Sequence, residues 1–296
     1  MISKDKILSP TGAGFALLAG GAMWGFYWVP VRALGQAGLD GAWLGLLIYL
    51  ACLALLVPFL LLNLRALLAH WKVLLLSGLF TGAAFGLYTT SLSYTEVAKS
   101  ILLFYLTPVW GTLLGLVFLG ERITLSRALG LLFGLLGLVI ILSGGGVIPI
   151  PRNIGDWMAL ISGISWAIGT LILFQSKNIP ILGQILGFLL GGIFITLLAN
   201  LVLGAPPLAQ SFENLSSGFT LIMILTTLYV LPMMFLTLWP ATLLTPARVG
   251  LLLMSEVVVG IFSAALFSGE PFGWREGLGA TFIIGAAVIE LSSSRH

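Results

Sequence analysis

Glu256 lies about ten residues into the apolar run 247–268 and is the residue least easily explained by packing. A carboxylate at that depth costs roughly 2.5–3.5 kcal/mol on insertion scales, so intramembrane acids face a cavity or a partner. Such a group can bind the ammonium of a small molecule or carry a coupling proton. The alternative is a protonated or hydrogen-bonded Glu that ties two helices together. Lys99 and Arg248 stand at the starts of the runs 97–118 and 247–268, where they could attract a substrate carboxylate. Snorkelling to lipid headgroups is the plainer role for both. Arg248 precedes Glu256 by eight residues, about 12 Å at 1.5 Å per residue, too far for a direct salt bridge along a straight helix.

Trp24, Trp28, Trp110 and Trp166 sit away from the ends of their runs, as do Tyr49, Tyr105 and Tyr229, while Tyr88 lies toward one end of 72–92. A buried indole or phenol needs a partner for its polar hydrogen, and its ring can stack on an aromatic ligand for roughly 0.5–1.5 kcal/mol or attract a cation. For any one of these residues ordinary helix packing is the competing explanation. As a group, Trp24, Tyr88, Tyr105, Trp166 and Tyr229 are candidate substrate contacts together with Glu256. Pro108 and Pro232 fall inside runs and free the carbonyls of Phe104 and Leu228. A freed carbonyl in a membrane must be satisfied by protein, water or ligand, so Pro108 and Pro232 are candidate hinges, with a purely structural kink as the alternative.

Enzyme chemistry finds little support. The histidines are His70 and His296, in a loop and at the C-terminus, and neither Gly-x-Ser-x-Gly nor His-Glu-x-x-His occurs. Without a Gly-x-x-x-x-Gly-Lys segment, transport would run on gradients rather than ATP. A single cysteine, Cys52, rules out an intramolecular disulfide and a cysteine metal cluster. No catalytic residue, metal ligand or cofactor is expected. Basic residues are scattered singly, which argues against a nucleic-acid partner.

The elements that must position these residues are membrane helices. The chain is 59% hydrophobic and 8% charged, against roughly 25% charged in soluble domains, so its exterior must contact lipid. Apolar runs occupy 12–34, 41–62, 72–92, 97–118, 124–143, 156–176, 181–203, 218–239, 247–268 and 273–291, each near the roughly 20 residues that cross a bilayer. The first has no signal cleavage site before it and is expected to stay as a span. An even number of spans places both termini on one side. That side collects Lys4, Lys6, Arg65, Lys72, Arg122, Arg127, Lys177, Arg248 and Arg295, against Arg32, Lys99, Arg152 and Arg275 on the other. The positive-inside rule makes it the cytoplasmic side. Trp43, Trp71, Trp157, Trp239 and Trp274 fall near run ends as interfacial anchors. Small residues at Gly21/Gly25, Gly82/Gly86, Gly111/Gly115 and Gly130/Gly134 permit close helix approach.

Residues 98–143 slide over 247–292 without a gap and match at 15 of 46 positions. Leucine-rich spans match by chance, so the paired Gly120-Glu121 and Gly269-Glu270 at the same loop carry more weight. Arg248 and Lys99 align in this register. The expected fold is all-α, ten transmembrane helices in two five-helix repeats, 1–146 and 147–296. Five being odd, the second repeat enters the membrane inverted, an arrangement that places a binding site between the halves and suits alternating access.

The chain resembles the drug/metabolite transporter superfamily in its ten-helix EamA-type branch. The resemblance is carried by Ala22-Met23-Trp24-Gly25, Ser165-Trp166-Ala167, Leu106-Thr107-Pro108 through Gly120-Glu121 to Leu129-Gly130, and Ser255-Glu256-Val257 through Gly269-Glu270 to Leu278-Gly279. The branch often has Glu-Pro in these two segments. Here Pro108 lacks the Glu and Glu256 lacks the Pro, which weakens any mechanism built on two symmetric carboxylates. Within the superfamily the sequence is most similar to bacterial aromatic amino acid exporters of the YddG type. That implies a multi-pass protein of the bacterial inner membrane, both termini cytoplasmic, that exports Phe, Tyr, Trp and similar small molecules. It also implies a central cavity walled by spans 1, 3, 4, 6, 8 and 9. A broad-specificity drug or metabolite exporter is the alternative, and an intramembrane enzyme the remote one.

Overall fold

The structure, a computed structural model, describes residues 10–39, 43–142, 150–176, 179–205, 207–212, 215–269 and 272–293. Among these the α-helices are α1 (Pro10–Phe26), α2 (Trp28–Gln36), α3 (Leu44–Leu62), α4 (Leu64–Ala69), α5 (Trp71–Ser91), α6 (Val97–Phe104), α7 (Thr107–Phe118), α8 (Leu125–Leu142), α9 (Ile154–Gln175), α10 (Ile181–Val202), α11 (Phe219–Leu238), α12 (Pro246–Leu253), α13 (Ser255–Ser268) and α14 (Trp274–Ser293). No strand occurs among the described residues. This is the outcome that lipid imposes, because a helix satisfies its backbone groups within its own segment.

Nine stretches among the described residues are long and apolar enough to cross a membrane. Three of them are broken helices: α1–α2 (span 1), α6–α7 (span 4) and α12–α13 (span 9). Spans 2, 3 and 5 are α3, α5 and α8, and spans 6, 7 and 8 are α9, α10 and α11. The tenth run forms α14, 20 residues long with Arg275, Glu276 and Glu290 along it; it is not one of the nine, and its broadest contact is with α8. The short α4 turns the chain between spans 2 and 3.

Burial is reversed relative to a soluble domain. Leu62, Val117, Leu125 and Leu266 are exposed, whereas Asp156, Gln184, Asn200 and Glu290 are buried. The outside is therefore a lipid-facing surface and the polar groups look inward. Because apolar faces gain nothing by leaving lipid for one another, close packing has to hold the helices together. Spans 3 and 7 show how: a Cβ on Gly78 would strike the Gly187 backbone, and one on Gly191 would strike the Gly78 carbonyl.

The span contacts fall into pairs related by exchanging the first five spans for the second five. Spans 5 and 10 pack together, as do 4 and 9, and 2 and 7. The contact of span 3 with 6 has its counterpart in 8 with 1, that of 4 with 6 in 9 with 1, and that of 2 with 8 in 7 with 3. Spans 4 and 9 are broken at Tyr105 and Met254, which the sliding register of 149 residues superimposes. Gly120 and Gly269, also in register, both adopt the left-handed conformation, at φ 65° and 71°. This pattern is compatible with a duplicated five-span unit. The 146/147 division lies outside the described residues, as does Glu270.

Candidate functional site

The break in span 4 has a local cause. Pro108 lacks the N–H that would continue the α6 helix, and Thr107 Oγ1 takes over the freed Phe104 carbonyl at 2.5 Å. A new helix then starts with Pro108 in its first turn, where proline is tolerated. Span 9 breaks without a proline. There α1 presses on the chain: Gly25 lies flush against the Glu256 carbonyl and Gly260, and Ser255 Oγ donates to the Leu18 carbonyl at 3.3 Å.

The two breaks face each other, and the Tyr105 hydroxyl donates to Glu256 Oε2 at 2.5 Å. Above this pair lies a cavity of about 460 Å³. Its wall comes from Trp24, Gly25, Tyr27, Trp28 and Val31 of span 1, Leu44 and Gly45 of span 2, Phe85, Tyr88, Thr89 and Thr90 of span 3, and Leu92, Ser93 and Tyr94 just beyond it. It is completed by Ile101 and Tyr105 of span 4, Leu142 of span 5, Thr196 and Asn200 of span 7, and Glu256, Val257, Gly260 and Ile261 of span 9. Consecutive spans alternate in direction, so these residues occupy mid-span and the half of each span that points away from the termini. In the other half α7 crosses α12 in close contact. There a Cβ on Gly111 would strike the Pro246–Ala247 backbone, and one on Gly250 would strike Pro108.

The cavity floor is aromatic. Phe85 stacks on Trp24 at 4.3 Å and meets the edge of Trp166 at 5.2 Å. Tyr88 leans on Phe104 at 4.7 Å, and Phe104 in turn meets Tyr105 at 5.1 Å. The Trp24 indole donates to Thr237 Oγ1 at 3.0 Å and the Trp28 indole to Ser263 Oγ at 2.9 Å. Toward the mouth the lining turns polar, with Thr89, Thr90, Ser93, Tyr94 and Asn200. Thr89 and Thr90 direct their hydroxyl protons to carbonyls of their own helix, at 2.9 and 2.7 Å. Glu256 is the charged side chain of this wall, and among the described residues neither Lys, Arg nor His contributes to it.

The cations named from sequence are engaged elsewhere. Lys99 Nζ pairs with the fully buried Asp156 at 2.5 Å. The Asp156 carboxylate also accepts from Thr95 and from the Arg152 backbone, and its backbone N–H closes a capping box with Asn153. Arg248 Nε pairs with buried Glu290 at 2.6 Å. Both basic residues thus tie helices together by ion pairs, a closer role than snorkelling or a waiting charge at a pathway mouth.

Of the other residues singled out in sequence, Trp24, Tyr88, Tyr105 and Glu256 meet at the cavity. Trp166 does not line it: fully buried, it stands behind Phe85 with its indole nitrogen unpartnered. Tyr229 lies on a separate recess between α1, α2 and α11, its hydroxyl donating to the Met23 carbonyl at 2.6 Å. Pro232 sits within an unbroken α11. Spans 6 and 8 therefore contribute none of the wall expected of them, because Phe85 and Trp24 stand between them and the space. Spans 2, 5 and 7 contribute instead.

Phe85, Tyr27, Thr196 and Asn200 were missed from sequence. Asn200, a polar amide inside an apolar run, carried a readable signal. Phe85 is one of 18 phenylalanines, and nothing in its context marks it.

Residues 11–143 match the EamA-like transporter family. The uncharacterized transporter YoaV of Bacillus subtilis (strain 168) is 24% identical over 237 residues, 74% of this chain and 73% of the relative. A second protein of that organism, the uncharacterized transporter YvbV, is 30% identical over 111 residues, 36% of this chain and 35% of its own length. One chain solved by crystallography superposes with a TM-score of 0.74 at 17% identity, covering 97% of both chains.

Proposed function

We propose, from an EamA-like region over residues 11–143 in a multi-pass helical membrane protein, that this chain is a secondary transporter. It moves small molecules with an aromatic or apolar body and an ammonium group across the bacterial inner membrane, aromatic amino acids among them, and it acts in export. The observation that carries this reading is the Tyr105–Glu256 pair: two helix breaks in register meet at mid-span, between a cavity on one side and the tight α7–α12 crossing on the other. Discontinuous helices at a repeat interface are where secondary transporters bind substrate.

With both termini cytoplasmic, the cavity faces outward, a state from which an exporter releases its substrate. Opening the α7–α12 crossing while closing α6 toward α13 would expose the same pair to the other side. The two halves would then trade shapes, as inverted repeats allow. No covalent step is required of any residue in the wall.

The test is flux in proteoliposomes of the full chain, using radiolabelled phenylalanine, threonine and a quaternary ammonium dye. Saturable phenylalanine movement competed by tryptophan supports the aromatic reading. Threonine movement without phenylalanine removes it, and movement of the dye alone leaves a drug exporter. The absence of flux for all three sinks the transport reading.

A further inference from the structure

We infer that the cavity recognises its substrate by an organic ammonium and not by a carboxylate, so that an aromatic amine binds better than the amino acid of the same side chain. This rests on the transporter reading above and specifies its substrate class.

The charges of the wall decide the matter. A zwitterionic amino acid brings one positive and one negative group, and both must leave water to reach mid-span. The positive group has a counterpart: Glu256, whose Oε2 already accepts from Tyr105, has the capacity for further donors that any carboxylate has. Trp24, Phe85, Tyr88 and Tyr105 line the same space, and aromatic faces attract cations most when both are desolvated.

The negative group has no charged counterpart among the described residues, only the neutral donors Ser93, Tyr94, Thr196 and Asn200. Lys99 is held on Asp156 and Arg248 on Glu290, and among the described residues no other cation reaches the wall. Thr89 and Thr90 spend their protons on their own helix. A substrate carboxylate would therefore exchange water for neutral donors alone, beside an acidic side chain of its own sign, which burial and Coulomb repulsion oppose.

Three ligands that share a phenyl ring and a short chain separate the charges: phenethylamine, phenylalanine and 3-phenylpropionate. Calorimetric titration of the full chain in detergent at neutral pH is expected to give phenethylamine an affinity at least about tenfold above phenylalanine and no binding of 3-phenylpropionate. In Glu256→Gln the ratio of amine to amino acid is expected to fall close to one. Phenylalanine binding as tightly as the amine, binding of 3-phenylpropionate, or an unchanged ratio in the variant would each overturn the inference. The wild-type ratio tests it even where the variant fails to fold.

Flux separates this inference from the reading beneath it. Saturable phenylalanine flux with no preference for the amine removes the charge selection and keeps the transporter. Binding of the amine without protein-dependent flux of phenylalanine or of the fixed cation benzyltrimethylammonium removes the transporter and keeps the charge selection.

Discussion

Tyr105 and Glu256 are 151 residues apart in the chain, yet the phenol of one donates to the carboxylate of the other across the contact between spans 4 and 9. Each residue sits at, or within two positions of, the point where its span is broken. The bond is thus a fastener between spans 4 and 9 at the floor of the cavity.

Removing the donor should loosen that floor. A hydrogen bond to a charged group contributes about 1.5–3 kcal/mol, so Tyr105→Phe is expected to shift the balance away from this cavity-open form. A cysteine at Thr90, introduced after Cys52→Ala, would then react more slowly with a membrane-impermeant maleimide. An unchanged labelling rate would mean that the bond does not bias the two forms.

A proton and an ammonium compete for the Glu256 carboxylate, whose titratable neighbours on the facing elements are Tyr105 and Tyr88. Acidification on the cavity side should accordingly weaken substrate binding, and an opposing pH gradient should drive flux. In Glu256→Gln the flux is expected to lose its pH dependence while counterflow of unlabelled against labelled substrate persists. A gradient response that survives the substitution would place coupling elsewhere.

The Lys99–Asp156 pair should behave as structure, not as a substrate contact. Removing one partner of a buried pair costs about 3–5 kcal/mol because the other charge is left uncompensated. Lys99→Met and Asp156→Asn should each lower the thermal midpoint in detergent, and the double variant should recover part of the loss. Substrate affinity in the double variant is expected to match wild type. A selective drop in affinity for carboxylate-bearing substrates would restore Lys99 as a binding residue.

Glycines of spans 3 and 7 should differ sharply from one at the cavity wall. Gly78→Val forces a side chain into the Gly187 backbone, and overpacking of this kind costs about 1–3 kcal/mol or more, so yield of folded protein should fall. A Cβ on Gly45 meets only Thr89 Oγ1, at 3.9 Å. Gly45→Phe should therefore fold, narrow the cavity and depress flux of indole substrates more than phenyl ones. Equal flux of both would show that the substrate does not reach span 2.

Apolar run length and composition alone determined that this chain is a helical membrane protein, because lipid permits almost no other solution for twenty-residue hydrocarbon segments. The register between Gly120-Glu121 and Gly269-Glu270 indicated duplication, and the depth of Glu256 marked it as a residue to explain. The tertiary structure alone decided which aromatics reach the cavity. Trp24 and Trp166 look alike in sequence, but Phe85 comes between the second and the open space. Ion pairing was equally invisible: Lys99 finds Asp156 across 57 residues and Arg248 finds Glu290 across 42. Such distances have no period to read, since they are set by which helices cross. The charge of the cavity, one carboxylate and no cation among the described residues, follows from those crossings.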